Sequence, residues 1–252
     1  MNAALFDLSG KTALVTGASR GIGAAIAELL AACGAHVIVS SRKLEACEEV
    51  VRGIVATGGK AEALAAHIGE VEAIDALFAE LDRRGRGLDI LVNNAAANPY
   101  FGPMLDMGLD AYAKTVDVNI RGYWYTTQQA AKRMQAGGSI VNVASVNAER
   151  PAYGQGVYSM TKGAIVNMTQ GWAKELAAAG IRVNAVLPGL TDTKFASAIT
   201  GSPSILKMIL PLIPLQRMAQ PNEIAPAVLF LASPAAGYVT GIALPVDGGY
   251  LA

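Results

Sequence analysis

Cysteine, histidine and aromatic residues are scarce in this chain, and neither sign of charge prevails. Of 252 residues, two are Cys, two are His and 6% are aromatic, while 20 Lys+Arg balance 20 Asp+Glu. Cys33 and Cys47 each fall in a stretch of helical spacing and read as reduced packing residues of a cytoplasmic protein, not as a disulfide framework. With only His36 and His67 besides, no cluster has the spacing of a metal site. The even charge leaves no basic face to displace counterions from phosphates, which argues against a nucleic-acid partner and against a polybasic membrane anchor. No run of about 18 apolar residues lacks a charge or a proline. The most apolar segment, Ile205 to Leu215, is cut by Lys207, Pro211 and Pro214. Met1 to Lys11 carries Asp7 and no basic leader ahead of an apolar run, so no signal peptide is expected.

What remains is an apolar-rich chain, 52% hydrophobic, long enough to bury a large core in one domain. Short β-branched runs alternate with Ala-rich stretches. Thr12 to Thr16, His36 to Ser40, Asp89 to Asn93, Ser139 to Ala144 and Arg182 to Leu187 read as buried strands, with a last short one at Ala243 to Val246. Ile22 to Cys33, Lys43 to Thr57, Val71 to Arg83, Leu109 to Gln135 and Tyr158 to Ala179 carry helical spacing, and Gly34 and Gly180 stop two of them. Continuous apolar strands separated by helices predict an α/β fold: a doubly wound parallel sheet of the Rossmann type, covered on both faces. No linker or repeat marks a second domain, so residues 1–252 are expected to form one. About 190–220 is the one long stretch without sheet periodicity, and its prolines among Ile, Leu and Met predict short helices forming a lid over a pocket.

Gly17-Ala18-Ser19-Arg20-Gly21-Ile22-Gly23 lies between the first strand and the first helix. Glycines there permit a tight turn and close backbone approach, and the helix start offers free N–H groups to a pyrophosphate. A strand before and a helix after make the turn a dinucleotide site, with Gly17, Ser19, Arg20, Ile22 and Gly23 as contacts. The second strand ends Ser40-Ser41-Arg42-Lys43, without the carboxylate that would hold a ribose 2′-hydroxyl. Arg42 and Arg20 instead suit a 2′-phosphate through their planar donor forks, so the predicted cofactor is NADP(H), with Ser41 beside it.

Tyr158 and Lys162 share one face of a predicted helix. Ser145 follows the fourth of the five long strands, Asn119 lies in the helix before it, and Asn93-Asn94-Ala95 follows the third. Parallel sheets bind ligands at the carboxyl ends of their strands, where these residues meet. With Pro188-Gly189 and the closing Asp247-Gly248-Gly249, these motifs make the chain resemble, over essentially its whole length, the short-chain dehydrogenase/reductase family, and within it the NADP-dependent carbonyl reductases. The resemblance implies a catalytic tetrad of Asn119, Ser145, Tyr158 and Lys162 and a homotetramer. It further implies that Lys162 holds the nicotinamide ribose, that Asn119 helps anchor a proton-refilling water chain, and that Asn94, Pro188, Gly189, Thr191 and Thr193 meet the cofactor. The residue types fit carbonyl reduction: a phenol delivers a proton as hydride arrives, its pKa expected to fall beside the Lys162 charge, and Ser145 donates to the substrate oxygen.

Three positions depart from the family's habit. Ala96 stands where glycine is common, tolerable if its φ is negative; His67 replaces an Asp expected near the adenine; Thr191 replaces an aliphatic residue. The substrate walls are expected from Ala97 to Pro103, Val146 to Gln155 and the lid, through Tyr100, Phe101, Tyr153, Ile199, Ile205, Leu206, Met208, Ile209 and Leu210. Such walls favour a hydrophobic ketone or secondary alcohol as the small-molecule partner. A 3-oxoacyl carrier-protein reductase is the rival, with Arg121, Lys132 and Arg133 as candidate carrier contacts. A non-catalytic NADP-binding sensor or scaffold is the alternative of another class.

Overall fold

The computed structural model describes residues 3–252. The strands are β1 (Thr12–Thr16), β2 (His36–Ser41), β3 (Lys60–Ala65), β4 (Ile90–Asn93), β5 (Ser139–Val143), β6 (Arg182–Pro188) and β7 (Ala243–Val246). Among the described residues they form one seven-stranded sheet, ordered β3-β2-β1-β4-β5-β6-β7. Every neighbouring pair is parallel. The helices are α1 (Gly21–Ala32), α2 (Leu44–Ala56), α3 (Val71–Arg83), α4 (Leu109–Val116), α5 (Gly122–Ala131), α6 (Gly156–Leu176), α7 (Ser197–Thr200), α8 (Pro203–Ile209) and α9 (Pro221–Ala232). The predicted α/β architecture is the one observed.

Alternation along buried strands separates two core layers. Ala13 and Val15 face one side with Ile26 and Leu30 of α1 and Val228 of α9, while Leu14 faces the other with Phe78 of α3 and Ile165 of α6. Between the layers the order reverses: β1 leads outward to β2 and β3, whereas β4 pairs on its opposite edge. That reversal opens a crevice at the carboxyl ends of β1 and β4, where ligands settle in doubly wound sheets.

Three elements differ from expectation. β3 was not predicted, because Lys60-Ala61-Glu62-Ala63-Leu64-Ala65 has no β-branched residue; it forms as an edge strand on β2, with Glu62 held by His36, Arg84 and Arg86. Nor was α9, whose Pro221 and Pro226 mask its helical spacing. Pro221 occupies the first turn, where no N–H is needed, and Gln220 with Glu223 closes a capping box. The long helix expected over 109–135 is broken by a π turn at Asp117–Arg121 and ends at Ala131. The inserted residue turns Asn119 inward, where its side chain is fully buried, a device common at functional sites.

Cross-strand polar pairing also crosses the core. Asn93 Nδ2 donates to Asn142 Oδ1 (3.0 Å) and Thr127 Oγ1 (2.9 Å), and Asn142 Nδ2 donates to Thr169 Oγ1 (2.9 Å). Thr169→Val would leave the Asn142 amide unpaired in a buried site, costing about 1–3 kcal/mol. For a chain of this size the melting temperature is expected to fall by roughly 2–12 °C, read by thermal unfolding; an unchanged Tm would refute this role.

Candidate active site

One cleft of about 1020 Å³ runs along the carboxyl ends of the strands. It is bordered by Gly17, Ser19, Arg20, Ile22, Gly23, Ser41, Arg42, Asn94, Ser145, Tyr158, Lys162, Pro188, Gly189, Thr191 and Thr193. Every catalytic or cofactor-contacting residue expected from the sequence therefore borders it except Asn119, which is buried behind its wall.

The glycine turn is shaped by contact as much as by dihedral angle. Gly17 has φ +64°, and a Cβ there would lie 2.6 Å from Ala95 Cα. A Cβ on Gly23 would collide with Asn94 Nδ2. No side chain caps the start of α1, so its N–H groups are left for an acceptor from outside. Asn94 Nδ2 donates to the carbonyls of Thr16 (2.9 Å) and Gly17 (3.1 Å), and Thr16 Oγ1 accepts from the N–H groups of Asn94 (3.0 Å) and Ala95 (3.2 Å). Ser19 Oγ donates to Ser41 Oγ at 3.0 Å, joining the turn to the end of β2. Arg20 and Arg42 are exposed on that rim and unpaired among the described residues. Gln216 is the one non-glycine with positive φ among the described residues, so Ala96 sits in the turn after β4 without that strain.

At the other end, Ser145 follows β5, and its Oγ accepts from Asn147 N–H at 3.1 Å. That bond occupies a lone pair and leaves the hydroxyl hydrogen to donate into the cleft. Tyr158 and Lys162 stand one turn apart on α6, 8% and 1% exposed. Lys162 Nζ donates to Val143 O (2.8 Å), which also accepts from Tyr123 OH (3.0 Å). The ammonium is 5.4 Å from the centre of the Tyr158 ring. Asn119 Oδ1 accepts from Ala97 N–H (2.8 Å), and its Nδ2 donates to Ala97 O (2.9 Å) and Thr161 Oγ1 (3.0 Å). Thr161 in turn donates to Tyr158 O at 2.7 Å.

This arrangement has close counterparts. A family model described as enoyl-(acyl carrier protein) reductase matches residues 17–251. Dehydrogenase/reductase SDR family member 4 of Oryctolagus cuniculus is 38% identical over 96% of this chain and 94% of its own. The chain belongs to the short-chain dehydrogenase/reductase family. The 3-oxoacyl-[acyl-carrier-protein] reductase of Synechocystis is 40% identical over 96% of this chain and 97% of its own. A crystal structure of gluconate 5-dehydrogenase from Burkholderia cenocepacia, in complex with NADP and tartrate, superposes with a TM-score of 0.95 at 30% identity, covering 100% of this chain and 99% of that one. As a short-chain dehydrogenase/reductase the protein is an oxidoreductase that uses a nicotinamide cofactor.

Electrostatics around Tyr158 and Lys162 departs from the simple expectation of a phenol depressed by lysine. Burial raises the Tyr158 pKa, and only the facing Ser145 hydroxyl opposes it. Burial also pushes Lys162 down to about 7, so near neutrality its charge is partial. Both shifts have one cause: a charged form is disfavoured in a site shut off from water.

The walls match expectation in part. Phe101, Tyr153, Ile199, Ile205, Met208 and Ile209 line the cleft, as do the unforeseen Phe195, Ile213 and Tyr250. Tyr100 instead donates its hydroxyl to Pro103 O at 3.0 Å, and Leu206 and Leu210 do not reach the cleft. Phe195 stacks near the Tyr158 ring at 6.0 Å; only its place two residues after Thr193 could have marked it. Pro188-Gly189 is pressed against the closing loop, a Cβ on Gly189 lying 2.8 Å from Asp247 Cα. The proposed carrier contacts are engaged within the chain: Arg121 with Asp117 and Gly69 O, Arg133 with Asp82, and Lys132 with Gln128.

The lysine's burial predicts a pH-dependent cost. Its folded pKa is about 7 against an ordinary 10.5. Below pH 7 the folded state carries the full penalty of a buried charge, which fades as pH rises toward 10.5, where both states are neutral. Lys162→Met, which leaves Val143 O bonded to Tyr123, is expected to raise Tm at pH 6 by at least about 5 °C. The gain should shrink steadily up to pH 10; a gain independent of pH would contradict this assignment.

Proposed function

We propose that the protein reduces a hydrophobic ketone or aldehyde to an alcohol with NADPH, and runs the reverse oxidation of a secondary alcohol, with Tyr158 as general acid and base. The observation that carries this reading is the convergence of Ser145, Tyr158 and Lys162 on one apolar end of a cleft whose other end is a glycine turn flanked by two arginines unpaired among the described residues.

The glycine turn and the bare start of α1 fit a pyrophosphate, and Arg20 with Arg42 fits a 2′-phosphate, whose charge a fork of donors can grip. NADP in the bound structure of the Burkholderia relative supports the same choice. When bound there, the cofactor supplies hydride to the carbonyl carbon. Ser145 donates a hydrogen bond to the substrate oxygen and stabilises the charge that grows on it. Tyr158 OH gives that oxygen its proton. Lys162, partly charged near neutrality and bonded to Val143 O, supplies positive charge 5.4 Å from the centre of the Tyr158 ring. Asn119 acts as a positioning residue, because its amide is spent on Ala97 and Thr161, and Thr161 carries the carbonyl of Tyr158. Asn94 supports the turn in the same way, and Ile22, Ser19, Ser41, Pro188, Gly189, Thr191 and Thr193 complete the cofactor's walls. Thr191 Oγ1 donates to Gly189 O (3.0 Å), and Thr193 Oγ1 accepts from Ala196 N–H (3.2 Å), so both hold the turn that follows β6.

Phe195, Ile199, Ile205, Met208 and Ile209, from about 190–220, serve as a lid that excludes water and selects apolar substrate. Exposed Leu105, Leu109, Tyr112 and Trp124 support assembly into a homotetramer. The free thiols of Cys33 and Cys47 accord with a reducing, cytoplasmic setting. Similarity to the Synechocystis enzyme favours 3-oxoacyl carrier-protein reduction as the second reading, although the three cations first offered for a carrier are already paired.

NADPH oxidation is to be followed against hydrophobic ketones and an acetoacetyl carrier-protein surrogate. Turnover on free ketones is expected, and Tyr158→Phe should abolish it while NADPH still binds; turnover on the carrier substrate alone would favour the second reading, and retained activity in the variant would overturn the mechanism. Arg42→Ala removes charge-assisted bonds of about 1.5–3 kcal/mol. It is expected to raise KM for NADPH by about 10–100-fold with little change for NADH; equal effects on the two would overturn the choice of NADP.

A further inference from the structure

Tyr123, on α5, is the largest of the fully buried side chains among the described residues. Phenylalanine would fill nearly the same space without a hydroxyl to satisfy, and a buried hydroxyl costs free energy unless it is bonded. Tyr123 OH donates to Val143 O at 3.0 Å, and Lys162 Nζ donates to the same oxygen at 2.8 Å. Val143 closes β5, two residues before Ser145. Its carbonyl has two lone pairs, and these two donors take both. Tyr123 also presents its ring: Lys162 Nζ lies 5.4 Å from the centre of that ring and 5.4 Å from the centre of the Tyr158 ring. The ammonium is thus held by one oxygen and flanked by two aromatic faces, one from α5 and one from α6. An aromatic face attracts a cation, most strongly where water is excluded.

The charged groups on the surrounding elements are engaged or turned elsewhere. Lys114 of α4, and Glu149 and Arg150 after β5, are exposed. Asp117 pairs with Arg121 on the π turn, and Arg182 of β6 is bonded to Leu231 O and Ser233 O at the end of α9. Burial alone holds the Lys162 pKa down. Tyr123 itself stays neutral, because burial lifts its pKa well above the phenolic range and charge on Tyr158 would lift it further. Of the two phenols around this lysine, Tyr158 is the one that borders the cleft. Resting on the assignment of Tyr158 as acid and base, we infer that Tyr123 is a positioning residue for the reacting pair, its ring and hydroxyl fixing where the Lys162 ammonium sits and how much charge it presents to Tyr158. The two parts act in opposite directions. The ring favours the ammonium, whereas the phenol hydrogen points at the same oxygen as an ammonium hydrogen, competes for it and repels it. A residue that only filled space would show neither effect.

The experiment follows Lys162 directly, by NMR of the protein carrying lysine labelled with 13C at Cε, whose signal moves as the amine titrates. The Lys162 signal is the one missing from Lys162→Met, and neither cofactor nor substrate is needed. In the wild type the midpoint is expected near pH 7. Tyr123→Phe keeps the ring and loses the hydroxyl, and should raise the proton affinity of Lys162 by more than about threefold. Tyr123→Leu loses both, and its Lys162 affinity should fall about tenfold below that of the Phe variant, the scale of a desolvated contact between cation and ring. Tyr123→Met replaces the Leu variant should that one not fold. A rise of less than about threefold in the Phe variant, or a gap of less than about threefold between the two variants, overturns the inference. Where a ketone is turned over, the alkaline fall of kcat/KM should move with the midpoint in each variant; a fall that stays fixed while the midpoint moves overturns it as well. Silence across the ketone panel would sink the catalytic reading, and the lysine midpoints would still decide whether Tyr123 sets the charge on Lys162.

Discussion

The structure depends on a lacing of hydrogen bonds across the point where the sheet reverses direction. Thr16, at the end of β1, and Asn94, just after β4, exchange backbone and side-chain bonds, so that neither turn can move without the other. The tie continues through Ala97 to Asn119, from Asn119 to Thr161, and from Thr161 to the carbonyl of Tyr158. A chain of neutral, buried and part-buried bonds thus joins the glycine turn to Tyr158, two parts of the cleft that the sequence separates by more than half its length. Buried polar groups are costly when unpaired, and this cost is what makes the register between the two ends well defined.

Burial, the same condition that gives these bonds their strength, sets the chemistry of Tyr158 and Lys162. Both are driven toward their neutral forms by the exclusion of water. A phenol that keeps its proton is suited to donate it as a substrate oxygen gains charge, and a lysine near its midpoint can take up or release a proton at neutral pH. In the proposed oxidation of an alcohol the phenolate is needed instead, so the positive charge required would come from groups the cleft receives as well as from Lys162. Stability is the counterweight: a lysine buried in the cleft wall is a cost to the fold.

Much of the fold was legible because buried parallel strands are spelled by β-branched runs, as in Thr12 to Thr16 and Arg182 to Leu187. β3 was not, since Lys60 to Ala65 owes its strand state to the edge of β2 and to the ion pairs of Glu62. α9 was hidden by two prolines, one in its first turn, where no N–H is needed, and one inside the helix. The π turn around Asn119 has no signature in spacing, because one added residue in a helix is a response to Ala97 and Thr161, both distant in sequence. Among the wall residues, Tyr100 and Leu206 had the right chemistry and the wrong direction, which apolar character alone does not encode.

By itself the sequence determined the residue types that chemistry needs and the local shapes that carry them. A glycine turn between strand and helix, an Arg at a strand end that lacks a carboxylate, and Tyr with Lys on one helical face are properties of neighbouring residues, set by sterics and helical period. Only the tertiary structure decided how those groups behave. The direction of the Tyr158 and Lys162 shifts follows from exclusion of water by elements far along the chain. The inward turn of Asn119 follows from its bonds to Ala97 and Thr161, both distant in sequence. Solvation and hydrogen-bond orientation are collective quantities, and no spacing along the chain contains them.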